Sequence, residues 1–277
     1  MRCAVLGSPI EHSLSPVLHR AAYAELGLDW TYEAIEVREA ELATFLDGLD
    51  SSWRGLSLTM PLKRQVVGLL DEPDALVTAT GVANTVVFDA GRRRGFNTDI
   101  PGAVDAILER SSAPVQTAVV LGGGATAASL GWALADLGCA ELSLFVRNLS
   151  TVAETVAVIE QHPVSPAVTV ATLEQLGDVR TVDVVASTIP VEAQTHDLIE
   201  ALDRTAATVV FDVIYDPWPT PMATWAAVGG RAVVNGLDLL CHQAAHQVEL
   251  MTGARPSVPL MRGAGLAALA ARHRDAE

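Results

Sequence analysis

Residues 117–148, TAVVLGGGATAASLGWALADLGCAELSLFVRN, decide the fold of the second half of the chain. The apolar run 117–121 predicts a buried strand, and the alanine-rich segment 125–138 after the glycines predicts a helix. The segment 141–146 predicts a second strand. A glycine turn between a strand and a helix, followed by another strand, is typical of a doubly wound sheet that binds a dinucleotide. The stretch therefore predicts a Rossmann-like domain.

The glycine turn fits the pattern G-x-G-x-x-[GA], with Gly122, Gly124 and Ala127 at the key positions. Gly122 permits the tight turn, Gly124 lets the backbone approach a pyrophosphate, and the helix N-terminus presents N–H groups to it. A glycine-rich turn with a purely structural role is the alternative. The flanking strand and helix favour cofactor binding, and the candidate contacts are Gly122, Gly123, Gly124, Ala125 and Thr126.

The residues that end the next strand indicate which dinucleotide binds. An acidic residue at this place would hold the ribose 2′-hydroxyl of NAD. This chain instead has Arg147 and Asn148, with no carboxylate. An arginine pairs with the 2′-phosphate of NADP through charge-assisted hydrogen bonds, although an exposed loop arginine is the alternative. NADP is therefore the favoured cofactor and NAD the less favoured one.

Alternating strands and helices fill the rest of the chain. In the first half, strands are predicted at 2–7, 30–37 and 54–59, with a helix from about Leu14 to Gly27 whose N-cap is Ser13 or Ser15, a helix to about Leu49 and a hairpin at 84–97. In the second half, further strands are predicted at 181–187, 207–214 and 231–234, and helices at 237–252 and 260–272. The fold class is α/β with two domains and a cleft between them. An N-terminal, mostly parallel α/β substrate domain covers 1–100 and is completed by helices in 237–277, and the Rossmann-like domain covers 101–236.

Charge and cysteine content exclude several classes of partner. The chain carries 18 basic and 33 acidic residues, a net charge of −15. Such a surface repels nucleic acid and anionic lipid, so neither nucleic acid nor a membrane is an expected partner. The N-terminus lacks the features of a signal peptide, which predicts a soluble, cytoplasmic protein. The isolated cysteines predict buried free thiols, and the histidines lack metal-ligand spacing, so no metal is expected. These residues are Cys3, Cys139, Cys241, His12, His19, His242 and His246.

One basic residue stands apart from the others. Of the 18 basic residues, 17 are arginine and only Lys63 is lysine. Arginine stays protonated, whereas lysine exchanges a proton readily. Chance survival at a surface position is the alternative to a chemical role.

Lys63 closes one of several polar segments in the first half. They are Ser13-Leu14-Ser15-Pro16, SLTMPLK at 57–63, Asn84-Thr85 and Asn97-Thr98-Asp99. Each lies at a strand end or at the start of a helix, which is the edge where open α/β sheets bind ligands.

These segments resemble the motifs of one family. GSPIEHSLSPVLH at 7–19, SLTMPLK at 57–63, GVANT at 81–85 and NTDIPG at 97–102 are similar, in order, to motifs of the shikimate dehydrogenase family. FDVIYDPWPTP at 211–221 and NGLDLLCHQAAHQVELMTG at 235–253 resemble its C-terminal signatures. The resemblance, which is to the actinobacterial type, spans nearly the whole chain.

The resemblance implies an activity and a role for each matching residue. The activity is the reversible NADPH-dependent reduction of 3-dehydroshikimate to shikimate, in aromatic amino acid biosynthesis. Lys63 and Asp99 would form the catalytic pair. The substrate carboxylate would bind Ser13 and Ser15, and the ring hydroxyls would bind Thr59, Asn84, Asp99 and Gln243, with Tyr215 nearby. On the cofactor side, Val213, Gly236, Arg147 and Asn148 would join the glycine turn.

Independent chemistry supports the catalytic pair. Reduction of a ketone places negative charge on oxygen, which an ammonium group stabilises and protonates. Lys63 is thus either the acid–base itself or chiefly an electrostatic anchor.

The chain departs from the family pattern at several positions. Ser57 replaces the asparagine that usually opens the lysine motif, Asp238 replaces a glycine, the phosphate loop reads GGGAT rather than GAGGA, and the second arginine of the NADP loop is missing. A quinate or aminoshikimate dehydrogenase and a catalytically silent dinucleotide sensor are the alternative functions. Retention of Lys63 and Asp99 argues against the sensor. Monomer and homodimer, and the extent of domain closure, stay open.

Overall fold

The computed structural model describes residues 1–179 and 181–275. The chain divides into two compact units: the first comprises Met1–Thr98 and the residues from Leu240 onward, and the second comprises Asp99–Leu239. The sequence-based boundaries, after residues 100 and 236, lie within three residues of these divisions. Residues 276 and 277, the end of the segment expected to complete the first domain, lie outside the described residues.

The strands and helices alternate along most of the chain. The strands are β1 (Arg2–Gly7), β2 (Thr31–Glu36), β3 (Trp53–Leu58), β4 (Glu72–Pro73), β5 (Thr85–Asp89), β6 (Arg92–Phe96), β7 (Thr117–Leu121), β8 (Glu141–Val146), β9 (Ala167–Thr172), β10 (Val184–Ser187), β11 (Val209–Asp212) and β12 (Ala232–Asn235). The helices are α1 (Ser15–Glu25), α2 (Leu42–Asp47), α3 (Leu62–Gln65), α4 (Ala75–Thr80), α5 (Asp99–Arg110), α6 (Ala125–Asp136), α7 (Ala153–Glu160), α8 (His196–Leu202), α9 (Pro221–Val228), α10 (Gly236–Thr252) and α11 (Val258–Asp275). No helix of the described ranges is both long enough and apolar enough to span a membrane.

The first unit is built on a six-stranded mixed sheet with the order β2-β1-β3-β5-β6-β4. β1 pairs in parallel with β2 and β3, whereas the predicted hairpin β5–β6 joins β3 in antiparallel register. Apolar side chains from β1, β3 and α2 form a buried core on this sheet, with members such as Leu6, Leu42 and Leu56. Because of the strand pairing, the carboxyl ends of β1 and β3 lie beside the start of β5. Three of the predicted polar segments begin at this edge.

The second unit carries a six-stranded sheet that is parallel throughout, with the order β12-β11-β10-β7-β8-β9. This is the strand order of a doubly wound dinucleotide-binding domain, and it confirms the predicted fold class. The strand order reverses between β7 and β10, where Leu121 pairs with Ser187. Ligands bind such sheets at the carboxyl ends of the strands beside this reversal. The glycine turn follows Leu121 directly.

Two details of the sequence-based assignment were wrong. The N-cap of α1 is Leu14, in helical conformation and without a side-chain cap, rather than Ser13 or Ser15. The Ser13 hydroxyl instead accepts a hydrogen bond of 3.3 Å from the Ser15 backbone N–H. The strands β4 and β9 were missed. β4 has only two residues, and β9 lies at the sheet edge with no fully buried residue, so neither shows a clear apolar pattern.

Candidate active site

Lys63 and Thr59 lie in the segment that follows β3. Thr59 donates its backbone N–H to the Leu6 carbonyl at the end of β1, and its own carbonyl accepts from Leu62. Lys63 is half-buried on the short helix α3, and its backbone carbonyl accepts from Ala83, 2.9 Å away. The backbone of the lysine segment is therefore held at one end by β1 and at the other end by Ala83, the residue before Asn84.

Asn84 is the centre of a buried polar cluster in the first unit. It is 1% exposed, and its backbone carbonyl accepts from Leu58 at 2.7 Å, which joins it to β3. The Asn84 Oδ1 accepts from the Thr98 backbone N–H at 2.8 Å. The Asn84 Nδ2 donates to Thr98 Oγ1 at 2.9 Å and to Gln243 Oε1 at 3.4 Å. The structure thus brings together Asn84 and Gln243, two of the residues predicted to hold ring hydroxyls.

The serine motif lies at the N-terminus of α1. Ser15 is 5% exposed and Ser13 is half-buried. Arg272, near the end of α11, donates to the carbonyls of His12 at 2.9 Å and Ser13 at 3.5 Å. Sequence reasoning missed Arg272, because an arginine among the charged residues in the last turn of a helix is usually a solvated side chain. Its contacts fix the backbone of the segment that carries both serines.

In the second unit, the glycine turn has the geometry that the motif requires. Gly122 has a φ of +112°, and a Cβ there would lie 2.1 Å from Thr188 Oγ1, so only glycine fits. Gly124 is the N-cap residue of α6, and a Cβ built on it would meet no atom within 4 Å. The first N–H groups of α6 lack partners within the helix, as at every helix start. An open helix N-terminus beside a buried parallel strand fits the pyrophosphate of a dinucleotide.

Arg147 and Asn148 follow β8 and are exposed. Asn148 is turned inward on its own segment, because its Oδ1 accepts from the backbone N–H of Ser150 at 2.9 Å. Arg147 directly follows β8, so its exposed guanidinium lies at the carboxyl edge of the sheet. A guanidinium at this place fits a 2′-phosphate.

Val213 and Tyr215 follow β11 in a segment that a buried carboxylate holds. Asp212 is fully buried and accepts from Gln194 Nε2 at 2.8 Å, from Thr220 Oγ1 at 2.7 Å and from the Ile214 backbone N–H at 3.2 Å. Burial raises the pKa of the Asp212 carboxyl, while these hydrogen bonds lower it by less. Sequence reasoning gave no role to Asp212, although it lies inside the motif at 211–221.

Gly236 packs directly on this segment. A Cβ on Gly236 would lie 2.0 Å from the Val213 carbonyl oxygen, so the two backbones are in contact. The structure therefore brings the two predicted cofactor residues Val213 and Gly236 together. Asp99, the partner predicted for Lys63, is 7% exposed and is the first residue of α5 in the second unit.

Two departures from the family pattern have clear structural consequences. Asp238 is 1% exposed, and its Oδ1 accepts from Arg110 at 2.8 Å while its Oδ2 accepts from the Asn235 backbone N–H at 3.2 Å. Ser57 is 4% exposed and hydrogen-bonds to Tyr32 and Gln247. Both departures are thus absorbed into buried polar contacts.

Within the described ranges, one group of three side chains could hold a metal ion. His196, Asp197 and Glu200, all exposed at the start of α8, have ligand atoms within 4.8 Å of one another. None of the polar motifs predicted to form the active site includes these residues.

Comparison with known proteins agrees with this architecture. The family model described as the shikimate dehydrogenase substrate binding domain matches residues 5–86, and the one described as the shikimate 5'-dehydrogenase C-terminal domain matches residues 236–264. The shikimate dehydrogenase (NADP(+)) of Bacillus cereus (strain AH187) is 32% identical over 266 residues, which cover 93% of this chain and 95% of that protein.

Solved structures give the same result. The crystal structure of Mycobacterium tuberculosis shikimate dehydrogenase matches with a TM-score of 0.86 and 38% identity, over 96% of this chain and 99% of that one. The structure of quinate dehydrogenase from Corynebacterium glutamicum in complex with NAD matches with a TM-score of 0.87 and 28% identity, over 96% and 99%.

The glycine turn on a parallel doubly wound sheet, in a chain whose other unit holds the lysine segment and the Asn84 cluster, defines an oxidoreductase of the dinucleotide-dependent class. The sequence identity to known shikimate dehydrogenases, and the share of the chain that the matches cover, place this chain in that class of oxidoreductase. The protein belongs to the shikimate dehydrogenase family, as the six ordered motifs predicted.

Proposed function

We propose that the protein catalyses the reversible reduction of 3-dehydroshikimate to shikimate with NADPH. The observation that carries the proposal is the buried cluster of Asn84, Gln243 and Thr98 at the strand edge that also bears Thr59 and Lys63. Its amide and hydroxyl groups suit a small polyhydroxylated ring rather than an apolar ligand. The similarity to shikimate dehydrogenases over nearly the whole chain supports the same substrate.

The chain's own residues supply binding and proton transfer. Ser13 and Ser15 bind the substrate carboxylate, while Asn84 and Gln243, with Thr59 and Tyr215, hold the ring hydroxyls. Such contacts place the ketone in one orientation, which contributes to the rate by removing rotational freedom before reaction.

Lys63 and Asp99 act on the ketone oxygen. The Lys63 ammonium stabilises the charge that develops there and donates a proton to give the alcohol, and the Asp99 carboxylate orients the ammonium. When bound, NADPH supplies the hydride that reduces the carbonyl carbon. In the oxidative direction, Lys63 takes the proton back from the hydroxyl.

NADP is the cofactor of this proposal. Gly122 to Thr126 hold its pyrophosphate and Arg147 pairs with its 2′-phosphate, while Val213 and Gly236 line the nicotinamide end. The open space at Gly124 and the exposed guanidinium of Arg147 support this placement. The relative from Bacillus cereus is an enzyme named for NADP, which supports the same choice.

A cytoplasmic location belongs to the same proposal. All three cysteines, Cys3, Cys139 and Cys241, are buried free thiols, as in proteins of a reducing compartment. Cell fractionation with an antibody to the native protein tests the location, and light scattering distinguishes a monomer from a homodimer.

The deciding experiment measures oxidation of shikimate and of quinate, each with NADP and with NAD, by the absorbance of the reduced nicotinamide. We expect a strong preference for shikimate with NADP. Preference for quinate with NAD is the second candidate, which the similarity to the quinate dehydrogenase of Corynebacterium glutamicum favours. Cofactor binding without turnover of either substrate would instead indicate a sensor.

Variants of Lys63 decide between its two roles. Lys63→Arg keeps the charge but transfers a proton poorly, whereas Lys63→Gln loses both properties. If Lys63 is the proton donor, both variants lose most turnover and still bind NADP. Retention of much turnover in Lys63→Arg alone would identify an electrostatic anchor.

A further inference from the structure

Gln247 occupies the centre of a hydrogen-bond network that no step above uses. It lies on α10, four residues after Gln243, and is 1% exposed. Its Oε1 accepts from Ser57 Oγ at 2.7 Å and faces His19 Nε2 at 3.2 Å. Its Nε2 donates to Thr85 Oγ1 at 3.0 Å and to the Asn84 carbonyl at 3.2 Å.

These contacts fix the orientation of the Gln247 amide. A carbonyl oxygen only accepts, so the amide nitrogen must face Asn84, and the amide oxygen must face Ser57 and His19. His19 Nε2 must then carry the hydrogen. Burial lowers the pKa of His19 from 6.5 to about 3, so the ring is neutral and suited to this role. A reversed amide would leave these buried donors and acceptors unsatisfied, which is unfavourable.

The orientation passes from Gln247 to Asn84 through Thr85. The Thr85 hydroxyl accepts from Gln247, so its own hydrogen goes to Asn84 Oδ1, 2.8 Å away. Asn84 Oδ1 also accepts from the Thr98 N–H. The oxygen of the Asn84 amide is thereby directed at the protein. Its nitrogen donates one hydrogen to Thr98 Oγ1 at 2.9 Å and directs the other toward Gln243, one of the residues predicted to hold ring hydroxyls.

The other end of the network is anchored in an aromatic cluster. The Tyr32 hydroxyl donates to Ser57 Oγ at 2.5 Å, and Ser57 passes its hydrogen to Gln247. The His19 ring stacks on the Tyr32 ring with centroids 3.9 Å apart. Tyr32 and His19 are both fully buried, so this end has little freedom to move.

We propose that Gln247 is a positioning residue which, through Thr85, holds the Asn84 amide with its nitrogen toward the substrate, so that Asn84 donates a hydrogen bond to a ring oxygen. The proposal rests on the proposed function for the identity of that substrate. Ser57 makes it possible, because Ser57 and Thr85 face each other across β3 and β5 and the amide of Gln247 bonds to both. A longer asparagine at position 57 would occupy the space of that amide.

The test is a double-mutant cycle between Gln247→Met and Asn84→Ala. Gln247→Met keeps the length of the side chain and removes the amide. We expect the KM for shikimate to rise about tenfold, the effect of one lost hydrogen bond, while kcat and the KM for NADP change little. Because Gln247 acts through Asn84, we expect Gln247→Met to add no further loss of kcat/KM in the Asn84→Ala background.

Val248→Ala is the matched control. Val248 is fully buried on the same helix and takes no part in the network, so its truncation lowers the Tm without raising the KM for shikimate. Thr85→Val removes the relay hydroxyl and keeps a β-branched residue in β5. It provides the same cycle if Gln247→Met does not fold.

Two results would overturn the role of Gln247. One is an effect on kcat/KM that multiplies with that of Asn84→Ala, and the other is an unchanged KM. A readout without substrate separates this role from the proposed function. The side-chain amide signals of Asn84 in ¹⁵N spectra, identified by their absence in Asn84→Ala, should shift in Gln247→Met and not in Val248→Ala. If they do shift but the wild-type protein does not oxidise shikimate, the proposed function fails and the positioning network stands.

Discussion

Acidification should destabilise the first unit through one residue, His19. The ring is fully buried, stacked on Tyr32 and bonded through Nε2 to Gln247, and burial lowers its pKa from 6.5 to about 3. In the unfolded chain the same imidazole takes up a proton near its ordinary pKa. Between these two values the unfolded state binds more protons than the folded one. Stability from this group is therefore complete above pH 6.5 and is lost as the pH falls toward 3.

The magnitude follows from the size of the pKa shift. One pH unit within this window costs about 1.4 kcal/mol for a single group, so lowering the pH from about 7 to about 5 removes about 2 kcal/mol. The His19 ring is fully buried, so solvent does not screen its charge. The 33 acidic residues also titrate on acidification, and the measurement must therefore be a difference between variants.

His19→Phe provides that difference, since it keeps the aromatic stacking and removes the titrating group. The loss of the bond to Gln247 is independent of pH and cancels between the two conditions. The free energy of unfolding of the first unit is measured in urea at both pH values. Hydrogen exchange in peptides from α1 monitors the unfolding. We expect the wild type to lose about 2 kcal/mol more than His19→Phe. His196→Gln is the control, because it removes a histidine whose side chain is 90% exposed.

An equal loss of stability in the wild type and in His19→Phe would refute this account. It would mean that the His19 ring accepts a proton in the folded protein as readily as in the unfolded chain.

Three other predictions concern single contacts. Arg147→Ala should raise the KM for NADP about tenfold or more and leave that for NAD unchanged in steady-state assays, because only NADP carries the 2′-phosphate; equal effects would remove Arg147 from that site. Arg110→Met should lower the free energy of unfolding by about 2 kcal/mol in urea, since it leaves the buried Asp238 without its cation, and the double variant with Asp238→Ala should be more stable than Arg110→Met alone. Arg272→Leu should raise the KM for shikimate about threefold to tenfold at unchanged kcat by freeing the Ser13 backbone, and a fall in kcat alone would contradict this.

The fold of the second unit was predictable because its signals are local. The strand β7, the glycine turn and helix α6 are contiguous, and each has a composition that suits one structure. The edge strand β9 gave no such signal, since its residues are exposed or half-buried and do not alternate. Serine is a common N-cap residue, so Ser13 and Ser15 were natural candidates for α1. The helix begins at Ser15 with Leu14 as its N-cap residue, so neither serine is the N-cap.

The candidate site was predictable only as far as its motifs reach. The motifs placed Asn84 and Gln243 in separate segments, and the structure joins them at 3.4 Å. The roles assigned to Lys63, Asp99 and the serines remain predictions that the kinetic experiments test. The sequence did not predict the roles of Asp212 and Arg272, for two different reasons. Asp212 acts by holding a loop rather than by reaching a ligand, and Arg272 acts 259 positions away in sequence from Ser13.

Gln247 shows what kind of information a single sequence lacks. Gln243 and Gln247 are one helical turn apart on α10, so both amides lie on one face, and both are buried. Two buried amides on one face require polar partners, which predicts a network but not its members. Ser57 is 190 positions from Gln247, and no local pattern relates the two. The short Ser57 side chain appears in the sequence only as a departure from the lysine motif. In the fold, Ser57 leaves the space that the Gln247 amide fills. The effect of a substitution at position 57 therefore depends on the residue at position 247.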